Sequence, residues 1–202
     1  MQKLYSLLVL FYLSSLGLAE GQTYQEQYAK CAQKLEGSKL GSEEYMNTIE
    51  SVLDCMLGAK APDFTAKSIT NQEIILSKLK GQVVVVNFWN TGCQPCVEEM
   101  PALNELVEIY KGKAVTFIAL APEDEMTIKT FLDKYPFHFT QIAAASDIIT
   151  KKFMTNNVYP YTVIIDQAGR VKKIWFGGTA DKEKTFKRFH PPIAECLAKS
   201  KE

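Results

Sequence analysis

Net charge is missing from this chain: 23 lysines and arginines face 23 aspartates and glutamates over 202 residues. Proteins that bind nucleic acid mainly through phosphate need clustered Lys and Arg, so nucleic acid is not expected as a partner. Histidine is scarce as well, with two in the chain, His138 and His190. A structural zinc site needs four Cys or His ligands at characteristic spacings, and neither histidine stands at one. No metal and no cofactor are expected. Low-complexity tracts and internal repeats are absent, which argues against solenoid arrays and long disordered tails. What remains is an ordinary composition for one globular domain plus an appendage.

Residues 1–19 read as an export signal. Lys3 supplies a short positive region, Leu4 to Leu16 is apolar apart from hydroxyls, and Gly17-Leu18-Ala19 offers small residues for cleavage. The run is short and serine-interrupted for a membrane span. An uncleaved N-terminal anchor is the alternative. The nearest following cysteine is Cys31, so a lipid-anchored cysteine is not indicated. The mature chain is expected to begin near Glu20 and to work in the periplasm or otherwise outside the cytoplasm.

Against that background the five cysteines matter. Cys93-Gln94-Pro95-Cys96 follows the apolar run Val83 to Trp89 and precedes a helical pattern beginning near Val97. A helix N-terminus carries unpaired N–H groups and partial positive charge, which stabilise a thiolate. Cys93 is therefore the expected nucleophile and Cys96 the thiol that resolves a mixed disulfide. Pro95 suits the first helical position, where its missing N–H costs nothing, and Gln94 adds no charge. A permanent disulfide or half a metal site is the bland alternative. Cys31 and Cys55 are candidates for a bridge, since disulfides need Cα atoms within about 7 Å. Tight antiparallel packing of their helices would instead separate them, and Cys196 remains open as a partner or a free thiol.

Periodicity organises the rest into a helical extension, 20–57, and a main domain, 58–202. Helices are expected over Tyr24 to Leu35 and, capped by Ser42, over Ser42 to Leu57. Short strands at Phe64 to Ile69 and Glu73 to Leu76 flank an Asn71-Gln72 turn. Then come strand Val83 to Trp89, helix Val97 to Tyr110, strand Ala114 to Leu120, helix Glu125 to Lys134, a strand near His138 to Ala143 and a short helix at Asp147 to Met154. A hairpin, Tyr161 to Asp166 with Val171 to Phe176, and a helix from Asp181 to Lys199 close the chain. Alternating strands and helices imply an α/β domain around a largely parallel sheet, with the hairpin adding antiparallel strands.

Three segments carry a family resemblance: Gly58-Ala59-Lys60-Ala61-Pro62-Asp63-Phe64, Val86 through Pro101 around the cysteine pair, and Val158 through Asp166. From about Gly58 onward the chain resembles exported thioredoxin-fold thiol:disulfide oxidoreductases of the TlpA/ResA/CcmG, or DsbE-like, type. The resemblance implies a thioredoxin fold, a central mixed sheet flanked by helices. It implies a cis Tyr159–Pro160 bond opposite the cysteines, with Tyr159 and Pro160, and Gln94 and Pro95, contacting substrate. It also implies an acidic residue beside the site at Glu99, able to relay the Cys96 proton. Asn87 stands where many thioredoxins have a buried acid, and Gly92 where tryptophan is common, which would leave Cys93 more open. Phe88, Trp89 and Pro101 read as structural, Glu98 as solvated, and Lys182, Lys184, Lys187 and Arg188 as a solvated helix face.

The expected activity is reduction of disulfides in client proteins outside the cytoplasm, with cytochrome c maturation or envelope redox homeostasis as settings. A membrane electron donor is the expected partner, and the protein is expected to be a monomer. Two alternatives remain. A peroxiredoxin-like peroxidase would need Pro and Thr where Val86 and Asn90 stand. A Cu(I) chaperone would hold metal on soft thiolates, but relatives of that kind have three residues between the cysteines.

Overall fold

The computed structural model describes residues 23–39, 41–153 and 158–199. The expected export segment, residues 1–19, and Met154, the expected end of a short helix, lie outside these. Among the described residues no helix is long and apolar enough to cross a membrane.

Tyr24–Ala32 (α1) begins in a capping box, in which Thr23 Oγ1 accepts the Glu26 N–H and the Glu26 carboxylate accepts the Thr23 N–H. Glu43–Cys55 (α2) is capped by Ser42. Cys31 and Cys55 are bridged, with Cα atoms 5.8 Å apart. The register explains how. Lys34 Nζ donates to Ser51 Oγ at 2.8 Å and Gln27 Nε2 donates to the Cys55 carbonyl at 2.6 Å. The end of α1 thus lies beside the C-terminal half of α2, running antiparallel to it, with the two helices offset along their axes. Cys196 is a buried free thiol.

At Gly58 the chain turns through a positive φ of 81° and pairs with a sheet edge, Gly58 N–H donating to the Val171 carbonyl at 2.8 Å. Thr65–Lys67 (β1) and Glu73–Ile75 (β2) form a separate antiparallel hairpin. Val83–Phe88 (β3) is buried along its whole length. Gln94–Ile109 (α3) follows, then Val115–Leu120 (β4), Glu125–Leu132 (α4) and Thr140–Ile142 (β5). The expected short helix is a π-type turn, Ile148–Lys152. Tyr161–Ile165 (β6), Val171–Phe176 (β7) and Lys182–Lys199 (α5) complete the order.

The sheet runs β5-β4-β3-β6-β7, with β3, β4 and β5 parallel and β6 and β7 antiparallel to their neighbours. Both faces are covered, which is why β3 carries no polar alternation. Val84, Val86 and Phe88 pack with Tyr24 and Cys31 of α1, Val52 of α2 and Met56 just after it, around Phe153. Val83, Val85 and Trp89 face the other way, with Leu103 and Leu106 of α3 and Phe189 and Ile193 of α5. The N-terminal helices therefore complete one core layer rather than forming a loose appendage. A salt bridge at 3.1 Å from Lys173 to Asp54 adds an ionic tie between β7 and α2.

Candidate active site

Strand β3 ends at the chemistry. Asn90 Oδ1 accepts the Gly92 N–H at 2.9 Å, while Thr91 N–H and Oγ1 both donate to Glu123 Oε1, at 2.8 and 2.9 Å. These bonds fix the turn that delivers Cys93. Helix α3 begins at Gln94, three residues earlier than its apolar periodicity signals, because Cys93 itself is the N-cap. Pro95 is consequently the second helical residue, not the first. Cys93 Sγ accepts the Cys96 N–H at 3.3 Å and is disulfide-bonded to Cys96. The helix N-terminus thus points N–H groups at the sulfur that would carry the thiolate.

Cys93 is 9 % exposed and Cys96 1 %. Cys93 belongs to the core layer containing Trp89 and Met100. Cys93 is still the more accessible of the two sulfurs. Gln94 and Pro95 are exposed, and Gln94 Nε2 donates to Glu98, which is also exposed.

Glu99 stands one turn after Cys96, on the same side of α3, and is 2 % exposed. Asn87 Nδ2 donates to Glu99 Oε1 at 3.1 Å and to Thr162 Oγ1 at 2.9 Å. The β3–β6 register sets Thr162 directly opposite Asn87, so the sheet itself assembles this polar trio. Burial pushes the Glu99 carboxyl up to about 7, against the opposing pull of the Asn87 hydrogen bond and the Arg188 charge.

Tyr159–Pro160 is cis and leads into β6. Tyr159 is half-buried and packs against both core layers. Burial, with the Glu123 charge adding to it, raises its phenol above the usual value.

Three contributors escape motif reading. Gly178 is wedged among the parts of the site: a Cβ there would stand 2.6 Å from the Pro95 carbonyl oxygen, 3.0 Å from Pro160 Cγ and 3.1 Å from Glu99 Oε2. Arg188, expected on a solvated face, is half-buried and donates to the Gly177 carbonyl at 2.6 Å. Its guanidinium thus holds the Gly177-Gly178 segment and acts on Glu99. Glu123 ties Thr91 in place and faces Tyr159 electrostatically. The Gly177-Gly178 pair after β7 was the one available sequence signal. We expect Gly178→Ala to destabilise the fold by about 1–3 kcal/mol, because the nearest atom is backbone and cannot swing away. Urea unfolding measures this, and disulfide-reducing activity should fall with it.

Elsewhere, a cavity of about 370 Å³ lies among Tyr24, Pro62, Val84 and Ile165. It sits at the start of β3, the opposite end from Cys93. His190 Nδ1 lies 2.8 Å from the Tyr110 hydroxyl, between α5 and the end of α3.

A model of the AhpC/TSA family matches residues 57–174. The thiol-disulfide oxidoreductase ResA of Geobacillus thermodenitrificans is 32% identical over 145 residues, covering 71% of this chain and 82% of that protein. ResA of Bacillus cereus is 41% identical over 118 residues, covering 57% of this chain and 66% of that protein. Among solved structures, a protein from Chlorobium tepidum described as a thiol:disulfide interchange protein DsbE superposes with a TM-score of 0.61. It is 28% identical, with 70% of this chain and 97% of that one covered. The chain belongs to the AhpC/TSA family, and within it to the thioredoxin-fold thiol:disulfide oxidoreductases of ResA and DsbE type.

Proposed function

We propose that this oxidoreductase is a reductase of protein disulfides outside the cytoplasm, with Cys93 attacking and Cys96 resolving. The observation that carries the reading is the pairing of an N-cap sulfur, Cys93, with a nearly inaccessible one, Cys96, at the start of α3. In the reduced enzyme the Cys93 thiolate attacks a client disulfide and expels one client sulfur as thiolate. Cys96, losing its proton to Glu99, then attacks Cys93 Sγ and releases the second client thiol. The client gains two electrons and the enzyme is left as the Cys93–Cys96 disulfide. An external dithiol must reduce it again, which is the role of the membrane electron donor. Tyr159 and Pro160, with Gln94 and Pro95, line the approach to Cys93.

Export after cleavage near Ala19 accords with the Cys31–Cys55 bridge, because structural disulfides persist in oxidising compartments. Cytochrome c maturation is the setting we favour, and the enzyme acts as a monomer. A peroxidase reading fares worse: Val86 lies inside β3, and Asn90 spends its side-chain oxygen on Gly92 N–H. Equilibration of the Cys93–Cys96 pair with glutathione buffers tests the direction. A reductase should have a potential near or below about −230 mV, whereas one near about −120 mV would make the protein an oxidant.

A further inference from the structure

Four large hydrophobic side chains are exposed among the described residues: Leu57, Ile109, Met126 and Tyr135. Two of them share one groove. Met126 is 79 % exposed and Tyr135 47 %, and with Phe131, Thr130, Lys134 and Thr91 they line an open groove of about 560 Å³ along α4. Scattered apolar side chains need no explanation, but two gathered beside a reactive centre do.

The groove's lining reaches Thr91, two residues before Cys93. Two peptide units separate Thr91 from Cys93, so their Cα atoms are at most about 7.6 Å apart. Thr91 is also held rigid, its N–H and hydroxyl both donating to Glu123 Oε1. An aromatic column backs the groove. Trp89 packs on Phe131 at 5.3 Å between ring centroids, and Phe131 on Tyr135 at 4.9 Å. The wall of the groove is thereby anchored in the core under the disulfide, while its outer face offers a thioether, a tyrosine ring and threonine methyls. Methionine adapts to varied apolar shapes, which suits a surface that accepts more than one sequence.

The geometry points to a client-binding subsite: the α4 groove takes an apolar side chain two to four residues from the client cysteine that Cys93 attacks. The inference rests on the redox reading above. An extended segment advances about 3.3 Å per residue, so a side chain at that spacing spans from the disulfide to the groove. The occupant is an extended polypeptide carrying Leu, Met or an aromatic residue beside its disulfide. Small disulfides never reach the groove.

The test compares three substrates of the reduced full-length protein: a mixed-disulfide peptide with leucine three residues from its cysteine, the same peptide with serine there, and 2-hydroxyethyl disulfide. Wild type should favour the leucine peptide about tenfold in kcat/KM, the discrimination typical of one apolar contact. Met126→Glu and Tyr135→Ser should each abolish that preference and leave 2-hydroxyethyl disulfide reduction unchanged. Equal rates for the two peptides with wild type, or a preference that survives both substitutions, would overturn the subsite. Inability of wild type to reduce 2-hydroxyethyl disulfide would overturn the redox reading itself, and the subsite with it.

Discussion

Cys96→Ser should permit one attack and no turnover, whereas Cys93→Ser should permit neither. The asymmetry follows from where α3 places the two sulfurs. Cys93 is the N-cap, its sulfur accepting the Cys96 N–H at a helix N-terminus, a position that favours the charged form of a nucleophilic sulfur. Cys96 lies inside that turn and is 1 % exposed. A client disulfide cannot approach it in line, but Cys93, already within bonding distance, can. Stopped-flow mixing with a disulfide-bonded protein such as insulin should give Cys96→Ser a single burst followed by no further release of reduced chains. Cys93→Ser should show no burst. Serine is close in volume to cysteine, so both variants should unfold at nearly the urea midpoint of wild type with its Cys93–Cys96 pair reduced.

Glu99→Gln should slow the resolving step about 100-fold above pH 7, the lower end of what a positioned proton acceptor supplies. Cys96 is too buried to give its proton to bulk solvent, and the neighbouring acceptor on α3 is Glu99. When ionised, that carboxylate can take the Cys96 proton as the sulfur attacks. The sign is fixed by the carboxyl, whose value burial raises to about 7. Below that pH it is protonated and cannot accept, so wild-type resolution should rise as pH passes through about 7. Glu99→Gln should lose this step, and the two enzymes should converge near pH 5, about two units below the carboxyl's value.

Stability carries the same signature in the opposite direction. A carboxyl raised from 4.5 to about 7 favours the folded state fully below pH 4.5 and loses that contribution as pH climbs toward 7. The loss is on the order of 3 kcal/mol. Glutamine can still accept the Asn87 hydrogen bond, so Glu99→Gln should flatten the stability profile without breaking the Asn87–Thr162 arrangement. A merely structural Glu99 would leave the rate profile unmoved.

Much of the frame was legible because it is local. The apolar run Val83–Phe88, interrupted only by Asn87, announces a strand covered on both faces, Ser42 announces a helix start, and Asn71-Gln72 a turn, which Asn71 makes with a positive φ of 64°. The cis bond at Pro160 was legible through family resemblance alone, since nothing in the dipeptide itself selects that isomer. What escaped reading depends on residues brought together from afar. Asn87 looked like a departure from an acidic pattern, yet the sheet register and α3 make it the clasp between Thr162 and Glu99. Gly178 bears no motif, and its need for a bare Cα appears only once Pro95, Pro160 and Glu99 converge on it. Arg188 sits in a lysine-rich stretch that reads as solvated. Its distinction is the Gly177 carbonyl, eleven residues back along the chain. The Cys31–Cys55 pairing stayed open for the same reason, because it hangs on how far the two helices are offset along their axes.

The division of labour between the two sulfurs is the centre of the account. Peptide mapping of the adduct that Cys96→Ser forms with a disulfide-bonded client, by mass spectrometry under non-reducing conditions, tests it most directly. A client cysteine should be linked to the peptide bearing Cys93, in near-stoichiometric yield, with no adduct from Cys93→Ser. A client linked through Cys96 in Cys93→Ser, with none captured by Cys96→Ser, would contradict it.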